Sequence, residues 1–452
     1  MSPREPGGQG RALTSDNPRR VAFDVLRAVS ADDAYANLVL PKLLSQEHVE
    51  GRDAAFSTEL AYGSLRMRGT LDRVIEVAAR RELSTIDAPV LDALRLGAYQ
   101  ILCTRVPIHA AVDTTVSLTR EAIGHKPAGF VNAVMRRISQ RDSHAWMDAL
   151  ATGAQAADLA LEYAHPEWIV AELDAALGTP GELRDALGAN NIAPQVHLCA
   201  RPGAIDAEDL ADAVSGRVGE WSPYAVYLDG GDPGDIGAVA DRRAHVQDEG
   251  SQVVASLLAD APVTGSDERW LDLCAGPGGK AALLGSLAAL RAATVTAVEV
   301  SPHRADLVKS AVAGLPVEVV LADGRDPGFA DDTFDRVLVD APCTGLGALR
   351  RRPEARWRRK PEDVTELAVL QRQLLERALR LVRPGGVVAY VTCSPVIAET
   401  REVVEAVAGD RELIPVGPLL PSGMTGAEVG SCAQLWPHRH GTDAMFAALI
   451  RG

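Results

Sequence analysis

The chain has 452 residues, is 47% hydrophobic and 24% charged, and carries a formal net charge of -15. That length exceeds one ordinary core and predicts two or three domains, while the acidity argues against an unselective nucleic-acid binder. No apolar run approaches the roughly 18 residues of a membrane span. The six cysteines (Cys103, Cys199, Cys274, Cys343, Cys393 and Cys432) form no CxxC pair, and no Cys/His cluster has ligand spacing, so neither disulfides nor a metal is expected.

The first seventeen residues are polar and rich in Gly and Pro, with no signal-peptide core. They predict a disordered tail on a cytoplasmic protein. Over 18–143 apolar residues recur at spacings of three and four, as in VAFDVLRAV and GFVNAVMRRI, which predicts an all-helical domain. Asp16 or Asn17 before Pro18 marks its start. Residues 144–250 are mixed: HPEWIVAELDAAL is an amphipathic helix, and VHLCARP and AVYLDG are short strands of a small α+β connecting domain. From 251 to 452 short apolar strands (RWLDLCA, TVTAVEV, VEVVLADG, DRVLVDAP, VVAYVTC) alternate with helical stretches. This predicts a parallel sheet covered on both faces. His438 and His440, on either side of Arg439, are expected in a solvated loop.

LDLCAGPGGKAALL reads as strand, glycine turn, helix. Gly276, Gly278 and Gly279 allow a ligand close to the backbone at a helix start. The spacing is neither that of a Walker loop nor GxGxxG. The next strand ends in Glu299, the third runs to Asp323, and the fourth ends in Asp340. Acids at successive strand ends line the crevice where doubly wound sheets bind a nucleoside. S-adenosylmethionine, which lacks phosphates, suits this loop better than a dinucleotide.

The fourth and fifth strands each deliver a cysteine just past their ends, Cys343 in DAPCTG and Cys393 in TCSP. Two thiols beside a cofactor crevice suit C5 methylation of a pyrimidine. A thiolate that adds to C6 makes C5 nucleophilic, and an acid such as Asp340 stabilises charge on the ring. Spacing alone leaves open which thiol attacks. Just downstream, RRRPEARWRRK (350–360) carries seven basic residues against one acid, and residues 66–141 hold twelve against seven. Arg350, Arg351, Arg352, Arg356 and Arg358 are expected to hold RNA phosphates, with Trp357 stacking on a base.

In order, DLCAGPGGK, VEVSPHR, ADGR, DAPCTGLGALRRRPEARW and YVTCSP resemble the Sun/Fmu-type RNA cytosine-C5 methyltransferases. GAYQILCTRVPIHAAVDTTV and GFVNAVMRRI resemble the NusB-like RNA-binding domain fused to the bacterial 16S rRNA members. The resemblance covers nearly all the chain past residue 17. It implies a multidomain protein: an all-α NusB-like domain, a small α+β domain and an α/β, Rossmann-like class I methyltransferase domain. It implies Cys393 as nucleophile and Cys343 as the thiol of product release, with Asp340 and Lys280 in the catalytic pocket. It implies a cofactor site of Cys274, Ala275, Gly276, Pro277, Gly278, Gly279, Lys280, Glu299, Arg304, Asp323 and Asp340. The partners implied are S-adenosylmethionine and 16S rRNA, with no membrane, no metal and a monomeric enzyme. The motif after the nucleophile departs from the usual Glu-Glu-Asn, reading Ala398, Glu399, Thr400. The Arg-x-Asn pattern usual in the central domain is replaced around 198–200. Competing readings are methylation of another RNA such as tRNA, a non-enzymatic antitermination factor, a DNA methyltransferase and a dehydrogenase.

Overall fold

The computed structural model describes residues 17–179 and 181–452. Among the described residues two compact units share the chain: 17–167 with 352–357, and 168–351 with 358–452. The expected tail lies outside the described residues, except for Asn17, which already opens the first helix.

The first unit is helical, as its periodicity predicts. Helix Ala88–Cys103 is its centre, because Leu94, Leu96 and Ala98 are all buried although they point in different directions around the helix. The buried Arg95 and Asp92 lie in one network of ion pairs. Arg95 pairs with Asp72 at 2.6 Å and with Asp92 at 3.0 Å, and Arg27 reaches Asp92 at 2.8 Å. Two further helices, Ser143–Leu150 and Gln155–Glu162, carry this unit to Glu167, past the expected boundary at 143.

The segment Arg352–Trp357 belongs to this helical unit although both its flanks belong to the other. Glu354 accepts from the Ala36 amide at 3.2 Å, at the start of helix Ala36–Gln46. Arg356 is fully buried and donates to the carbonyls of Ala164 (3.0 Å) and Arg66 (3.4 Å). The Trp357 indole donates to the Leu65 carbonyl at 2.8 Å.

The second unit holds two sheets. The smaller is antiparallel, built from β1 (Val196–Ala200), β2 (Arg217–Val218), β3 (Ala225–Leu228) and β4 (Ala244–Val246) in the order β2-β3-β1-β4. Strand alternation gives it two faces. Leu198 and Ala200 pack under helix Ala207–Val214, while Cys199 joins the core of the larger sheet.

The larger sheet contains β5 (Arg269–Asp272), β6 (Thr294–Glu299), β7 (Val317–Leu321), β8 (Phe334–Asp340), β9 (Val382–Thr392), β10 (Leu413–Ile414), β11 (Glu428–Val429), β12 (Cys432–Gln434) and β13 (Phe446–Arg451). Its order is β11-β12-β13-β9-β8-β5-β6-β7, with β10 beside β13. Strands β5 to β9 pair in parallel, as predicted; β13 returns antiparallel to β9. On one face, Leu338, Val387 and Ala389 pack with Val254, Leu258 and Leu284 from helices Glu249–Asp260 and Gly279–Leu290. On the other, Val337, Val339 and Tyr390 meet Leu375, Ala378 and Val403 from helices Pro361–Leu381 and Arg401–Ala408. His438 and His440 are not solvated. They lie in the short helix Pro437–His440, where His440 is buried and takes the Trp436 amide, and His438 pairs with Glu182 at 3.1 Å. Among the described residues no helix is long and apolar enough to cross a membrane.

Gly69 gives a test of the buried segment. A Cβ added there would sit 2.4 Å from the Trp357 ring. Gly→Ala in a helix ordinarily stabilises by about 0.5–1 kcal/mol. Gly69→Ala should instead destabilise, by about 1–3 kcal/mol, as overpacking does. The urea midpoint of the helical unit should fall; a rise would contradict this packing.

Candidate active site

The strand order reverses beside β5: the chain proceeds from β5 outward to β6 and β7, then crosses back to β8 on the other side. Ligands of such sheets bind at the carboxyl ends of the strands beside this reversal. Strand β5 ends there at Asp272 and β8 at Asp340.

The glycine loop after β5 is tied to the end of β6. The Gly276 amide donates to Glu299 Oε2 at 3.1 Å, and Arg304 donates to the Gly276 carbonyl. Glu299 Oε1 accepts from the Ser301 amide at 2.9 Å. A Cβ on Gly276 would lie 2.2 Å from Glu299 Oε2, so only glycine allows the approach. Gly278 has φ +115°, and a Cβ there would meet Ala311 at 2.7 Å. Asp323 lies in the turn after β7, exposed and clasped by Arg325 at 2.6 Å. Cys274, Gly276, Glu299, Arg304 and Asp340 are thus gathered at one end of the sheet, with Asp323 at its edge.

Asp272 was not singled out by sequence reasoning. It is buried, its Oδ1 accepts from the Cys274 amide at 3.4 Å, and Oδ2 has no partner among the described residues. Burial and the Asp340 charge raise its carboxyl to about 7, against the opposing pull of Lys280. A half-satisfied buried carboxylate calls for a donor. The ammonium and hydroxyl groups of S-adenosylmethionine provide donors of that kind, so the residues present fit this cofactor.

Lys280 Nζ meets Asp340 Oδ2 at 2.9 Å. Burial opposes the ammonium, but Asp340 first, then Cys393 and Asp272, outweigh it and hold the lysine above its ordinary value. Just beyond, the Sγ atoms of Cys343 and Cys393 are 3.4 Å apart. Their meeting follows from register: β8 and β9 are parallel neighbours with Asp340 opposite Val391, and each chain leaves its strand within three residues. The Cys343 thiol is pushed well up by its hydrogen bond to Cys393, by burial, and by the nearby charges of Cys393 and Glu399.

Glu399 was noted only as part of a departing motif. It is fully buried and binds both cysteine loops. It accepts from the Thr344 amide (2.7 Å) and hydroxyl beside Cys343, from Ser394 Oγ (2.6 Å) beside Cys393, and from Gln371 Nε2 (3.1 Å). Gln371 also donates to the Pro342 carbonyl at 2.9 Å, and Arg359 to that of Thr344 at 3.0 Å. The Gly347 amide donates to the Cys393 carbonyl at 2.9 Å, and a Cβ at Gly347 would overlap the Ala444 carbonyl. No local pattern flags a residue whose partners lie 28 and 55 positions away.

Only part of the basic run is on the exposed surface expected: Arg352 and Lys360 are exposed, while others turn inward. Arg350 and Arg351 are drawn inward between Asp248 and Asp443, at 2.6–3.3 Å. Arg356 has no exposed surface and Trp357 is hydrogen-bonded within the helical unit. Arg352 lies over the Tyr35 ring at 5.8 Å, and Arg358 is half-buried. The carboxylates and carbonyls that consume Arg350, Arg351 and Arg356 are distant in sequence, so local charge gave the wrong expectation for them.

A parallel, doubly wound sheet with a glycine loop and strand-end acids at its reversal is the arrangement of a class I methyltransferase. Residues 240–451 match the family described as 16S rRNA methyltransferase RsmB/F, and residues 16–140 match the NusB family. The protein named "Putative methyltransferase Rv1407" of Mycobacterium tuberculosis strain H37Rv is 56% identical, with 100% of this chain and 99% of that protein covered. Ribosomal RNA small subunit methyltransferase B of Erwinia tasmaniensis is 32% identical over 96% of this chain and 98% of its own. The crystal structure of PH0851 shares the fold, with TM-score 0.81 at 23% identity over 96% of this chain and 99% of that one. The chain belongs to the RsmB/F family, and is an S-adenosylmethionine-dependent RNA methyltransferase with a NusB-like domain.

Two outcomes follow from the buried carboxylates. A carboxyl raised in the folded state destabilises it once pH exceeds the unfolded value, here from about 4 upward, with the full loss reached above about 7. Cofactor-free Asp272→Asn protein should therefore be more stable than wild type at pH 8, by up to about 4 kcal/mol. That gap should close below pH about 4; denaturant midpoints across pH test it. Glu399→Gln presents donors to donors and removes a charge, and should cost about 1–3 kcal/mol. It should also bring Cys343 alkylation by iodoacetamide to lower pH, read by mass spectrometry. An unchanged labelling profile would dismiss the electrostatic role of Glu399.

Proposed function

We propose that this enzyme methylates C5 of a cytosine in 16S rRNA through a covalent bond between Cys393 and C6 of the base, acting as a monomer in the cytoplasm. The observation that carries the reading is the pair of thiols in contact beside a buried Lys280–Asp340 pair. A single core cysteine is ordinarily a small hydrophobe. Two at one crevice, with a cation nearby, suit addition to a pyrimidine ring.

Cys393 is one of the groups whose charge holds Lys280 as an ammonium, after Asp340. Cys343 holds its proton, because its hydrogen bond to Cys393, burial and the neighbouring charges all disfavour ionisation. The electrostatics support the same order of thiols that the family resemblance implies. Attack of Cys393 Sγ on C6 forms the S–C bond and moves an electron pair through C5 toward N3 and its carbonyl. The Lys280–Asp340 pair offers the donor that stabilises this charge. S-adenosylmethionine, when bound, supplies an electrophilic methyl group. The C5 proton is then lost to a base, the S–C6 bond breaks, and Cys393 leaves as thiolate. Cys343, poised at 3.4 Å, assists that departure. The names of the methyltransferase B relatives and the NusB-like domain support ribosomal RNA as substrate.

Cys343→Ala should accumulate a protein–RNA adduct that survives denaturing electrophoresis, with turnover reduced by at least 100-fold. Cys393→Ala and the double variant should form none. An adduct in Cys393→Ala would reverse the roles, and methyl transfer to DNA but not to small-subunit RNA would dismiss the substrate assignment.

A further inference from the structure

With much of the basic run folded inward, the cations that grip RNA must come partly from elsewhere. In the second unit, other buried or half-buried arginines are matched by carboxylates: buried Arg336 by Asp267 at 2.7 Å, buried Arg350 and half-buried Arg351 by Asp248 and Asp443, and half-buried Arg383 by Asp335. Arg201, just after β1, breaks this pattern. Arg201 is only 4% exposed, yet it donates to a backbone carbonyl, that of Ala311 at 2.6 Å, and its Nε has no partner among the described residues.

Arg201 lines a cavity of about 410 Å³ together with Gly203, Arg242 and Arg243, with Leu290 and Leu315 as an apolar wall. Leu290 is 64% exposed, unusual for a leucine beside a core. One acid stands at the rim, Asp241, exposed and 3.7 Å from Arg243; an exposed pair at that distance compensates little. Arg242 has no carboxylate partner in any ion pair described. Two neighbours register the uncompensated charge. Arg201 is held below its ordinary value by burial and then by Arg242, and buried His245 is lowered to about 4 by burial and then by Arg201. Packed cations with an open cavity between them are stabilised by an anion.

We propose that this cavity is a secondary RNA-binding site, which seats one backbone phosphate between Arg201, Arg242 and Arg243 and the adjoining ribose or base against Leu290. It rests on the reading of RNA as substrate. The site is separate from the catalytic crevice. Helix Gly279–Leu290 begins at the glycine loop and ends at the cavity, and its 12 residues span about 18 Å at 1.5 Å each. A phosphate held there belongs to a nucleotide other than the one being methylated. Its contribution is to affinity and register rather than to the chemical step. The sequence hint was thin. The Arg-x-Asn pattern usual in this domain is replaced here, and Arg201 stands at the edge of the replaced stretch.

The test uses the full-length protein and a small-subunit RNA fragment that wild type methylates. Arg242→Glu/Arg243→Glu should raise Kd and KM for that RNA by about 10-fold or more, and lower the slope of log Kd against log salt by about one to two. The turnover number at saturating RNA and the affinity for S-adenosylmethionine should be unchanged. Leu290→Glu, which leaves the arginines in place, should weaken RNA binding in the same direction and guards against misfolding of the double variant. In wild type, RNA should shield Arg242 and Arg243 from phenylglyoxal, whereas inorganic phosphate should not. Wild-type Kd, KM and salt slope in both variants would overturn the site, and so would protection by inorganic phosphate alone, which would reassign it to a free anion. If wild type itself does not methylate the RNA, it is the substrate reading that fails, a result distinct from either.

Discussion

The parallel pairing of β8 with β9 is the constraint on which the rest depends. It sets Asp340 opposite Val391, so that two loops separated by fifty residues leave the sheet side by side. One residue of slip would invert the faces of both strands and send the cysteines apart. The pairing is buried on both sides by helices, which is why its strands read as continuous apolar runs. Register alone leaves the loops free to splay. Glu399 closes them, taking hydrogen bonds from Thr344 on one side and Ser394 on the other. Sheet geometry brings the thiols near, and one carboxylate holds them in contact.

Charge is used in this protein mostly as internal structure. Arg350 and Arg351 join β1 of the small sheet, through Asp248 and His197, to Asp443 in the loop before β13 of the large one. Buried ion pairs of this kind contribute little net stability but make it costly to lose either partner. Here they hold the small sheet against the methyltransferase core. His245 and Gln247, just beyond, sit at the start of helix Gly279–Leu290, with His245 Nε2 at 3.2 Å from the Gly279 carbonyl. The connecting domain therefore buttresses the cofactor loop.

The sequence made the architecture legible wherever a residue's role is local. Short continuous apolar runs marked the parallel strands, the glycine turn marked the cofactor loop, and cysteines just past two strand ends marked the crevice. Asp272 escaped notice because an acid before a turn is commonplace; only its burial distinguishes it. Glu399 escaped because two of its partners, Thr344 and Gln371, lie 55 and 28 positions away. The basic run misled for the same reason. Seven positive residues among eleven look like a phosphate surface until folding brings in the acids that pair with Arg350 and Arg351 and the carbonyls that take Arg356. The strand expectations at VHLCARP and AVYLDG held, but pattern alone could not say that they form one antiparallel sheet.

The excursion of residues 352–357 bears on how the protein can be taken apart. A domain joined by a single linker can be released by one cut and studied alone. Here the chain enters the helical unit a second time, between two segments of the methyltransferase unit. Removing the first 167 residues would strip Trp357 of its hydrogen-bond acceptor and bare the buried Arg356, within fifteen residues of Cys343. The NusB-like part is thus woven into the enzyme rather than appended to it. Because the chain returns to the helical unit at residues 352–357, no single cut in it separates the two units.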